Sequence, residues 1–299
     1  MSPAARPPLR TRVAPAPIEV VLAVYLRAVR KAAGATLDDA AQRTRTSLST
    51  ASRWEHAAPP VPLAALETLL RSYGVSPAGI PGLLHAYPLR PHSQPDLASH
   101  PQWDQWADVA GSDAVARYAA VARTATESVH YTNARIPPAF RTPLYRGVVT
   151  ASAPTPDEPE GRRWVIPPWL AHVPIPPGQR LTLILDDTVL RRSIGGPKVM
   201  AEQLRHLMHL MDHPRATSPV TIRIAQRGYR TPANSEVAEY TVHGHRMIAG
   251  CRFLPRYEAR SEDARSVQER LRDTVQRAQD HDVSYRLIKQ AAERWEAAS

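Results

Sequence analysis

The sequence predicts an α+β protein in which an all-helical domain of five short helices precedes a larger domain of mixed helices and strands. In residues 18–87, apolar side chains recur at helical spacing between capping and helix-breaking residues, a pattern typical of several short helices. In residues 103–299, strand-like runs alternate with helical segments. A chain of 299 residues is long enough for one small core and one core of ordinary domain size.

Composition marks two segments that lie outside these predicted domains. Residues 1–17, MSPAARPPLRTRVAPAP, are rich in proline, alanine and arginine and predict a disordered arm. Residues 88–102 contain prolines and polar residues without apolar periodicity and predict a linker. The 30 prolines of the chain favour such connecting segments.

The charge of the chain is basic and unevenly distributed. Lys and Arg number 38 against 28 Asp and Glu, which leaves a formal net charge of +10. Residues 1–90 hold eleven basic and five acidic residues, whereas residues 256–299 hold nine of each. A basic, arginine-rich end is compatible with nucleic-acid binding. A GC-rich genome, which enriches Arg and Ala in its proteins, would produce the same overall balance.

Several classes of protein are disfavoured. The single cysteine, Cys251, excludes an intrachain disulfide and a thiolate metal cluster. No run approaches the roughly 18 consecutive apolar residues of a membrane-spanning helix, and the apolar core of a signal peptide is missing. We therefore expect a cytoplasmic protein with no membrane association and no cofactor.

The first two helices follow from local signals. Apolar side chains at helical spacing predict a first helix over about residues 18–33, which ends at Gly34. Thr36 predicts the cap of a short second helix, because Asp39 three residues later completes a pattern like a capping box.

Three further helices complete the predicted helical domain. Ser47 predicts the cap of a third helix over about residues 48–56, which ends before two prolines. A leucine-rich run beginning at Leu63 and closing near Gly74 predicts the fourth, and Ser76, followed by Pro77, opens the fifth.

The larger domain shows both kinds of periodicity. Helices are predicted across residues 103–130, after the turn Gly195-Gly196-Pro197, and in a charge-alternating segment over about 261–295, while residues 135–146 predict an irregular segment. Four segments have the apolar continuity or the alternation of strands, namely residues 181–186, 220–225, 237–242 and 246–251. The last two predict a hairpin through His243-Gly244-His245.

The second and third helices have the organisation of a helix-turn-helix. In that arrangement one helix lies across the DNA backbone and the next places its first residues against base edges in the major groove. The second of these helices needs short polar groups at its start and a long hydrogen-bond donor one or two turns later. Ser47, Ser49, Thr50 and Arg53 meet that need, while Trp54 faces the predicted core.

Residues 26–75, LRAVRKAAGATLDDAAQRTRTSLSTASRWEHAAPPVPLAALETLLRSYGV, resemble the XRE-type, lambda-repressor-like helix-turn-helix family. LRxxRxxAG before the capping Thr36, and then SxSTxSRxE, carry the resemblance. It implies a five-helix domain that binds double-stranded operator DNA, usually as a homodimer, with Trp54 and Leu66 in its core.

The resemblance also implies roles at the DNA surface. Leu48, Ser49 and Arg53 would read bases, and Ser47 and Thr50 would contact phosphates. The chain departs from the family pattern in three places, because Leu37 replaces a phosphate-contacting Gln, the turn 43–46 lacks its usual Gly, and His56 replaces a Gly. The arginines of that turn, Arg43 and Arg45, would restore backbone contacts.

Residues 181–210, LTLILDDTVLRRSIGGPKVMAEQLRHLMHL, resemble the C-terminal domain of unknown function of the WhiJ-like actinobacterial regulators. The resemblance implies a transcription factor of development or secondary metabolism, often encoded beside a small acidic partner protein. Family members usually carry an Arg-rich helix before the strand at 181–186, and this chain has WVIPPWLAHVPIPPGQR there instead.

Three polar motifs have simpler interpretations than a reactive site. His206, His209 and His213 share one predicted helix face and could hold a metal, but solvated histidines explain them more simply, so we predict no metal site. Asp187 is interpreted as a helix cap rather than as half of an acid–base pair with Asp186. Gly195-Gly196-Pro197 is interpreted as a tight turn.

The residues therefore predict a DNA-binding transcriptional regulator without catalytic residues, whose larger domain senses a small molecule or a protein partner. Polar and aromatic side chains form the candidate effector site, namely Arg135, Arg141, Tyr145, Trp164, Asp186 and Asp187. Two alternatives stay open. One is a regulator-like fold recruited as an enzyme of secondary metabolism, and the other is a module that titrates another regulator without touching DNA.

Overall fold

A computed structural model describes residues 14–87, 105–108, 113–151, 177–213, 219–225, 232, 236–251 and 255–299. Most of the predicted arm, the whole predicted linker, and Trp164 of the candidate effector site lie outside the described residues.

The N-terminal region consists of helices, as predicted. Its elements are α1 (Pro17–Ala32), α2 (Leu37–Thr44), α3 (Leu48–Trp54), α4 (Leu63–Ser72) and α5 (Ile80–Ala86). The predicted α3 extended two residues too far, and α5 begins three residues after the predicted Pro77 because a turn precedes it. The predicted core residues Trp54 and Leu66 are 6% and 0% exposed.

The larger region is built on a seven-stranded mixed sheet within the described residues. Its strands are β1 (Gln105–Ala107), β2 (Glu127–Thr132), β3 (Arg180–Leu185), β4 (Val220–Ile224), β5 (Glu236–Val242), β6 (His245–Cys251) and β7 (Pro255–Glu258). Their order across the sheet is β1-β7-β6-β5-β2-β3-β4. β2, β3 and β4 are parallel, and the other pairings are antiparallel. The α+β prediction is confirmed.

Helices cover both faces of this sheet. They are α6 (Ala114–Thr124), α7 (Pro143–Ala151), α8 (Asp187–Arg191), α9 (Pro197–Asp212), α10 (Glu262–Arg277) and α11 (His281–Ala297), with a 3₁₀ turn at Pro138–Phe140.

The core has three parts. On one face, β2, β3 and β4 carry apolar side chains such as Leu183 into a cluster with α7, α9 and α11. On the same face, β5, β6 and β7 contribute Tyr240 and Tyr257 to a second cluster that also contains α1 and α6. On the opposite face, Tyr131 and Val237 pack with Leu271 of α10. The first helix of the helix-turn-helix region thus shares a core with the sheet.

The structure corrects the sequence predictions for two segments of the larger region that were expected to be helical. Residues 103–130, predicted as helices, contain the strands β1 and β2 on either side of α6, and Trp106 lies in β1 stacked 5.5 Å from Tyr257 of β7. The segment 261–295, predicted as one helix, is two helices, because Asp280 starts a new one by accepting a hydrogen bond from Val283 N at 2.8 Å.

The turn before α9 depends on glycine. Gly195 has φ +74°, and a Cβ there would lie 2.7 Å from Val148 Cγ2 and 2.9 Å from Val199 Cγ2. We expect Gly195→Ala to destabilise the protein by about 2–5 kcal/mol, since the left-handed backbone and the overpacking both add a cost.

Gly178→Ala is the matched control. Gly178 has a similar φ of +83°, but a Cβ there meets nothing within 4 Å. Gly178→Ala should therefore lower the free energy of unfolding, measured with urea, only by the backbone cost of about 1–2 kcal/mol. Equal losses for the two variants would contradict the packing argument.

Candidate nucleic-acid interface

Side-chain caps fix the two helices of the helix-turn-helix. Thr36 Oγ1 accepts a hydrogen bond from Asp39 N at 3.1 Å, and the Asp39 carboxylate accepts one from Thr36 N at 2.7 Å. Ser47 Oγ accepts from Thr50 N at 3.1 Å and starts α3. Both predicted caps are confirmed. The capping box also occupies donors at the start of α2, and the Thr36 hydrogen bonds lower the pKa of Asp39.

The turn and the first part of α3 form one exposed, basic surface. Thr50 is half-buried, whereas the other side chains predicted to meet DNA are exposed, namely Arg43, Arg45, Ser47, Leu48, Ser49 and Arg53. Residues 43–53 contain three arginines and no acidic residue. The opposite side of α3 is buried through Ala51 and Trp54. The structure therefore brings all seven predicted DNA-site residues to one surface.

Arg45 lies in the turn between α2 and α3, which in the resembled family usually contains a glycine. It ends α2 in the left-handed conformation, with φ 51° and ψ 47°. A non-glycine residue there costs roughly 1–2 kcal/mol. The chain thus places an arginine in the turn at a cost in backbone strain.

A buried ion pair missed by the sequence reasoning holds α3 to α1. Arg30 donates from Nε and Nη2 to the two carboxylate oxygens of Glu55 at 2.5 and 3.0 Å, and from Nη1 to the Ala35 carbonyl at 2.8 Å. The hydrogen bonds to Glu55 raise the pKa of Arg30 further above its ordinary value. The only sequence signal was an Arg and a Glu within the family pattern.

A second contact joins the end of α3 to the larger region. The hairpin predicted between β5 and β6 is confirmed, but its turn has two residues rather than three because His245 begins β6. Both turn residues have positive φ, 50° at His243 and 79° at Gly244. The His243 ring lies 4.5 Å from the ring of His56, centroid to centroid. The turn between β5 and β6 therefore contacts His56, which lies just after the end of α3.

Burial, and then the nearby charges of His56, Arg27 and His245, lower the pKa of His243 to about 4, while a hydrogen bond with the Glu55 backbone acts in the opposite direction. The folded state, in which His243 packs against His56, therefore favours the neutral form of the His243 ring. The contribution of this contact to stability is complete above the ordinary histidine pKa near 6.5 and declines as the pH falls from there toward 4.

We accordingly expect the melting temperature to fall more steeply between pH 6.5 and 5 in the wild type than in His243→Asn, measured by differential scanning fluorimetry. Asn tolerates the left-handed backbone of residue 243. The buried His130, whose pKa burial lowers to about 4, is common to both proteins, so it cancels in the comparison. Parallel profiles would contradict this role of His243.

The structure gathers three residues of the candidate effector site at the end of β2. Arg141 Nε donates to the Ile136 carbonyl at 2.5 Å, and Tyr145 Oη accepts from Ile136 N at 3.1 Å. Arg135 is the exposed residue just before Ile136.

Glu236, which the sequence reasoning missed, joins this group. It lies at the start of β5, paired in register with Thr132 of β2. Burial raises the pKa of its carboxyl group, while Arg141 and Arg135 act in the opposite direction. Burial likewise lowers the pKa of Arg141, opposed by Glu236. An acid–arginine group therefore lies where β2 ends and β5 begins.

The two aspartates of the candidate effector site are structural groups of α8. Asp186, rather than the predicted Asp187, is the cap, since its carboxylate accepts from Thr188 N at 2.9 Å. Asp187 forms an ion pair with Arg191 at 2.8 Å. The prediction of Asp187 as the cap was wrong by one residue because both positions carry the same side chain.

Two of the histidines predicted to share a helix face lie close together. The rings of His209 in α9 and His213 just after α9 have centroids 4.4 Å apart and are tilted by 33°. The described residues hold no group of three or more His, Cys, Asp or Glu arranged for a metal ion. In the same part of the chain, no helix has the length and apolar character to cross a membrane.

Comparison with known families agrees with this architecture. A helix-turn-helix domain family matches residues 21–81, from within α1 into α5. A domain of unknown function, DUF5753, matches residues 115–290, from α6 into α11. Searches of curated proteins and of solved structures found no match. Because the second match spans more than half of the 299 residues, the chain belongs to the DUF5753 family, with a helix-turn-helix domain at its N-terminal side.

Proposed function

We propose that this protein is a DNA-binding transcriptional regulator of the XRE type, which places the start of α3 in a major groove. The observation that carries the proposal is the character of that exposed surface. Leu48 is 52% exposed at the first position of α3, beside exposed serines and arginines. An exposed leucine is unfavourable in water but suits the methyl group of a thymine.

The proposed roles follow from position. Arg53, one and a half turns into α3, would donate to a base edge, with Leu48 and Ser49 beside it. Ser47, Thr50, Arg43 and Arg45 would contact phosphates. Asp38 and Asp39 at the start of α2 oppose phosphate there, so the arginines of the turn would supply most of the backbone contacts.

The finer features of the proposal concern the larger domain and the assembly. In this proposal, residues 18–87 bind DNA, and residues 103–299 sense a small molecule or a small acidic partner protein of the kind often encoded beside WhiJ-like regulators of actinobacteria. Arg135, Arg141 and Tyr145 would bind the effector together with Glu236, and Trp164, Asp186 and Asp187 complete the proposed site. The active form would be a cytoplasmic homodimer on a two-fold symmetric operator.

The test is a fluorescence-anisotropy titration of the full chain with DNA from its own upstream region and with unrelated DNA. We expect Arg53→Ala to reduce the preference for the upstream DNA roughly five- to 150-fold, because a good bidentate base contact contributes about 1–3 kcal/mol of discrimination. Arg265 is an exposed arginine of α10, and the variant Arg265→Ala is the control for the loss of one charge. Equal weakening by both variants would contradict base reading by α3.

A further inference from the structure

A pocket of about 130 Å³ lies between the sheet and α10. Strands β2, β5 and β6 line one side of it and α10 lines the other, chiefly with Glu127, Glu239, Arg246, Leu271, Arg272 and Val275. We call it the sheet–α10 pocket. A cavity of roughly 150 Å³ can hold benzene, so a ligand of about that size would fill this pocket.

The strand register places Glu239 in the sheet–α10 pocket, away from the acid–arginine group. Glu236 and Glu239 are three residues apart in β5, so they project from opposite faces of the sheet. Val129 of β2 pairs with Glu239, and both line the pocket. Glu127, the other carboxylate of the lining, is partly exposed and lies 3.5 Å from Arg180 Nη2. Glu239 is therefore the buried carboxylate of the pocket.

Glu239 has one carboxylate oxygen without a hydrogen-bond donor. Its side chain is only 9% exposed, and Oε2 accepts from Arg246 Nη2 at 2.7 Å. Oε1 is buried and has no hydrogen-bond partner among the described residues. Because a buried charged oxygen without a donor is unfavourable, an N–H group that enters the pocket and donates to Glu239 would be stabilised there.

The other charges of the lining favour a ligand with no net charge. Among the described residues, the lining holds the two carboxylates and two arginines, Arg246 and Arg272. Arg246 already pairs with Glu239, whereas Arg272 is exposed and forms no ion pair with a described residue. A ligand carboxylate would therefore be attracted to Arg272 on the solvent side of the pocket, and a ligand ammonium group to Glu239 on the buried side.

Apolar side chains decide what the rest of the ligand can be. Val129, Leu271 and Val275 also line the pocket, and Leu271 belongs to the core cluster on this face of the sheet. A methyl or other short aliphatic group would be favoured next to them, whereas a larger molecule would not fit the volume.

We propose that the sheet–α10 pocket binds a small zwitterion of the α-amino-acid class, with its ammonium group on Glu239 and its carboxylate on Arg272. The bound molecule would join β5 to α10 within the DUF5753 domain. The pocket is separate from the proposed effector site at the end of β2, and its occupation does not depend on the proposed binding of DNA.

The experiment is a methyl NMR titration of the full chain, labelled at its leucine and valine methyl groups, with L-alanine as the probe and without DNA. We expect saturable shifts at the methyl groups of Val129, Leu271 and Val275, which line the pocket. Leu183, in the core cluster on the opposite face of the sheet, should not shift. A titration without saturable shifts at the three lining residues would mean that water alone fills the pocket, and would overturn the proposal.

The ammonium end is tested with sodium propionate, which has the size of L-alanine without its amino group. It should bind at least about tenfold more weakly than L-alanine, because a hydrogen bond to a charged group is lost. Glu239→Gln should weaken binding of L-alanine to a similar extent. Propionate that binds as tightly as L-alanine would contradict the role of Glu239.

The carboxylate end is tested with Arg272→Gln, which also covers the case in which Glu239→Gln does not fold, since Arg272 is exposed. This variant should weaken binding of L-alanine about two- to fivefold and leave binding of ethylammonium, which has no carboxylate, unchanged. The matched control is Arg270→Gln, another exposed arginine of α10, which should change neither. Equal effects of Arg272→Gln and Arg270→Gln, or equal effects of Arg272→Gln on the two probes, would overturn the zwitterion site.

Discussion

Replacement of Glu55 by alanine is expected to lower the free energy of unfolding by about 3–5 kcal/mol, because it leaves the Arg30 guanidinium buried without its carboxylate. The two side chains are only 9% and 5% exposed. The Ala35 carbonyl would still accept from Arg30, but a neutral acceptor does not replace the charge. The measurement is urea unfolding followed by circular dichroism at the helix band.

The control is Glu67→Ala, which removes the same side chain from the exposed Glu67–Arg71 pair on α4. Those side chains are 41% and 54% exposed, so the expected loss is below about 0.5 kcal/mol. The double variant Arg30→Met/Glu55→Leu should recover most of the stability, since it buries no charge. Equal losses from Glu55→Ala and Glu67→Ala would mean that the buried pair does not hold α3.

Asp108→Ala is the second substitution with a large expected effect. Asp108 and Arg117 are wholly buried, and Arg117 donates from Nε and Nη2 to the two carboxylate oxygens at 2.7 and 2.8 Å. Arg117 also packs on the Tyr25 ring of α1. Loss of the carboxylate should cost about 3–5 kcal/mol and loosen the contact between α1 and α6.

Asp187→Ala, in the more exposed Asp187–Arg191 pair, removes the same atoms and should cost less than about 1 kcal/mol. Limited proteolysis of both variants adds a readout of domain docking. Asp108→Ala should be cut faster in α1 than the control. If Asp108→Ala loses no more free energy of unfolding than Asp187→Ala, the buried Asp108–Arg117 pair does not hold α1 against α6.

The features predicted correctly from the sequence depend on neighbours in the chain. The capping box of Thr36 and Asp39 and the cap of Ser47 each act across three residues, so short-range chemistry specifies α2 and α3. The turn at His243-Gly244 is likewise local, because two residues with positive φ suffice to form it.

The features that were missed depend on partners far along the chain. β1 is three residues long and exists because Trp106 and its neighbours pair with β7, about 150 residues away. Arg30 meets Glu55 across 25 residues, and Glu236 meets Arg141 only after β5 has paired with β2. No local periodicity encodes such pairings. The break at Asp280 was readable as an N-cap, but the continuous charge pattern obscured it.

In the proposed function, the exposed start of α3 reads DNA sequence. The most direct test is the anisotropy titration with wild type, Arg53→Ala and Arg265→Ala on the upstream and unrelated DNA, at two salt concentrations. We expect that only Arg53→Ala abolishes the preference for upstream DNA, and that the preference of the wild type persists at the higher salt. Weak binding by the wild type that is equal on both DNAs and disappears with added salt would contradict it, because such binding reflects charge alone.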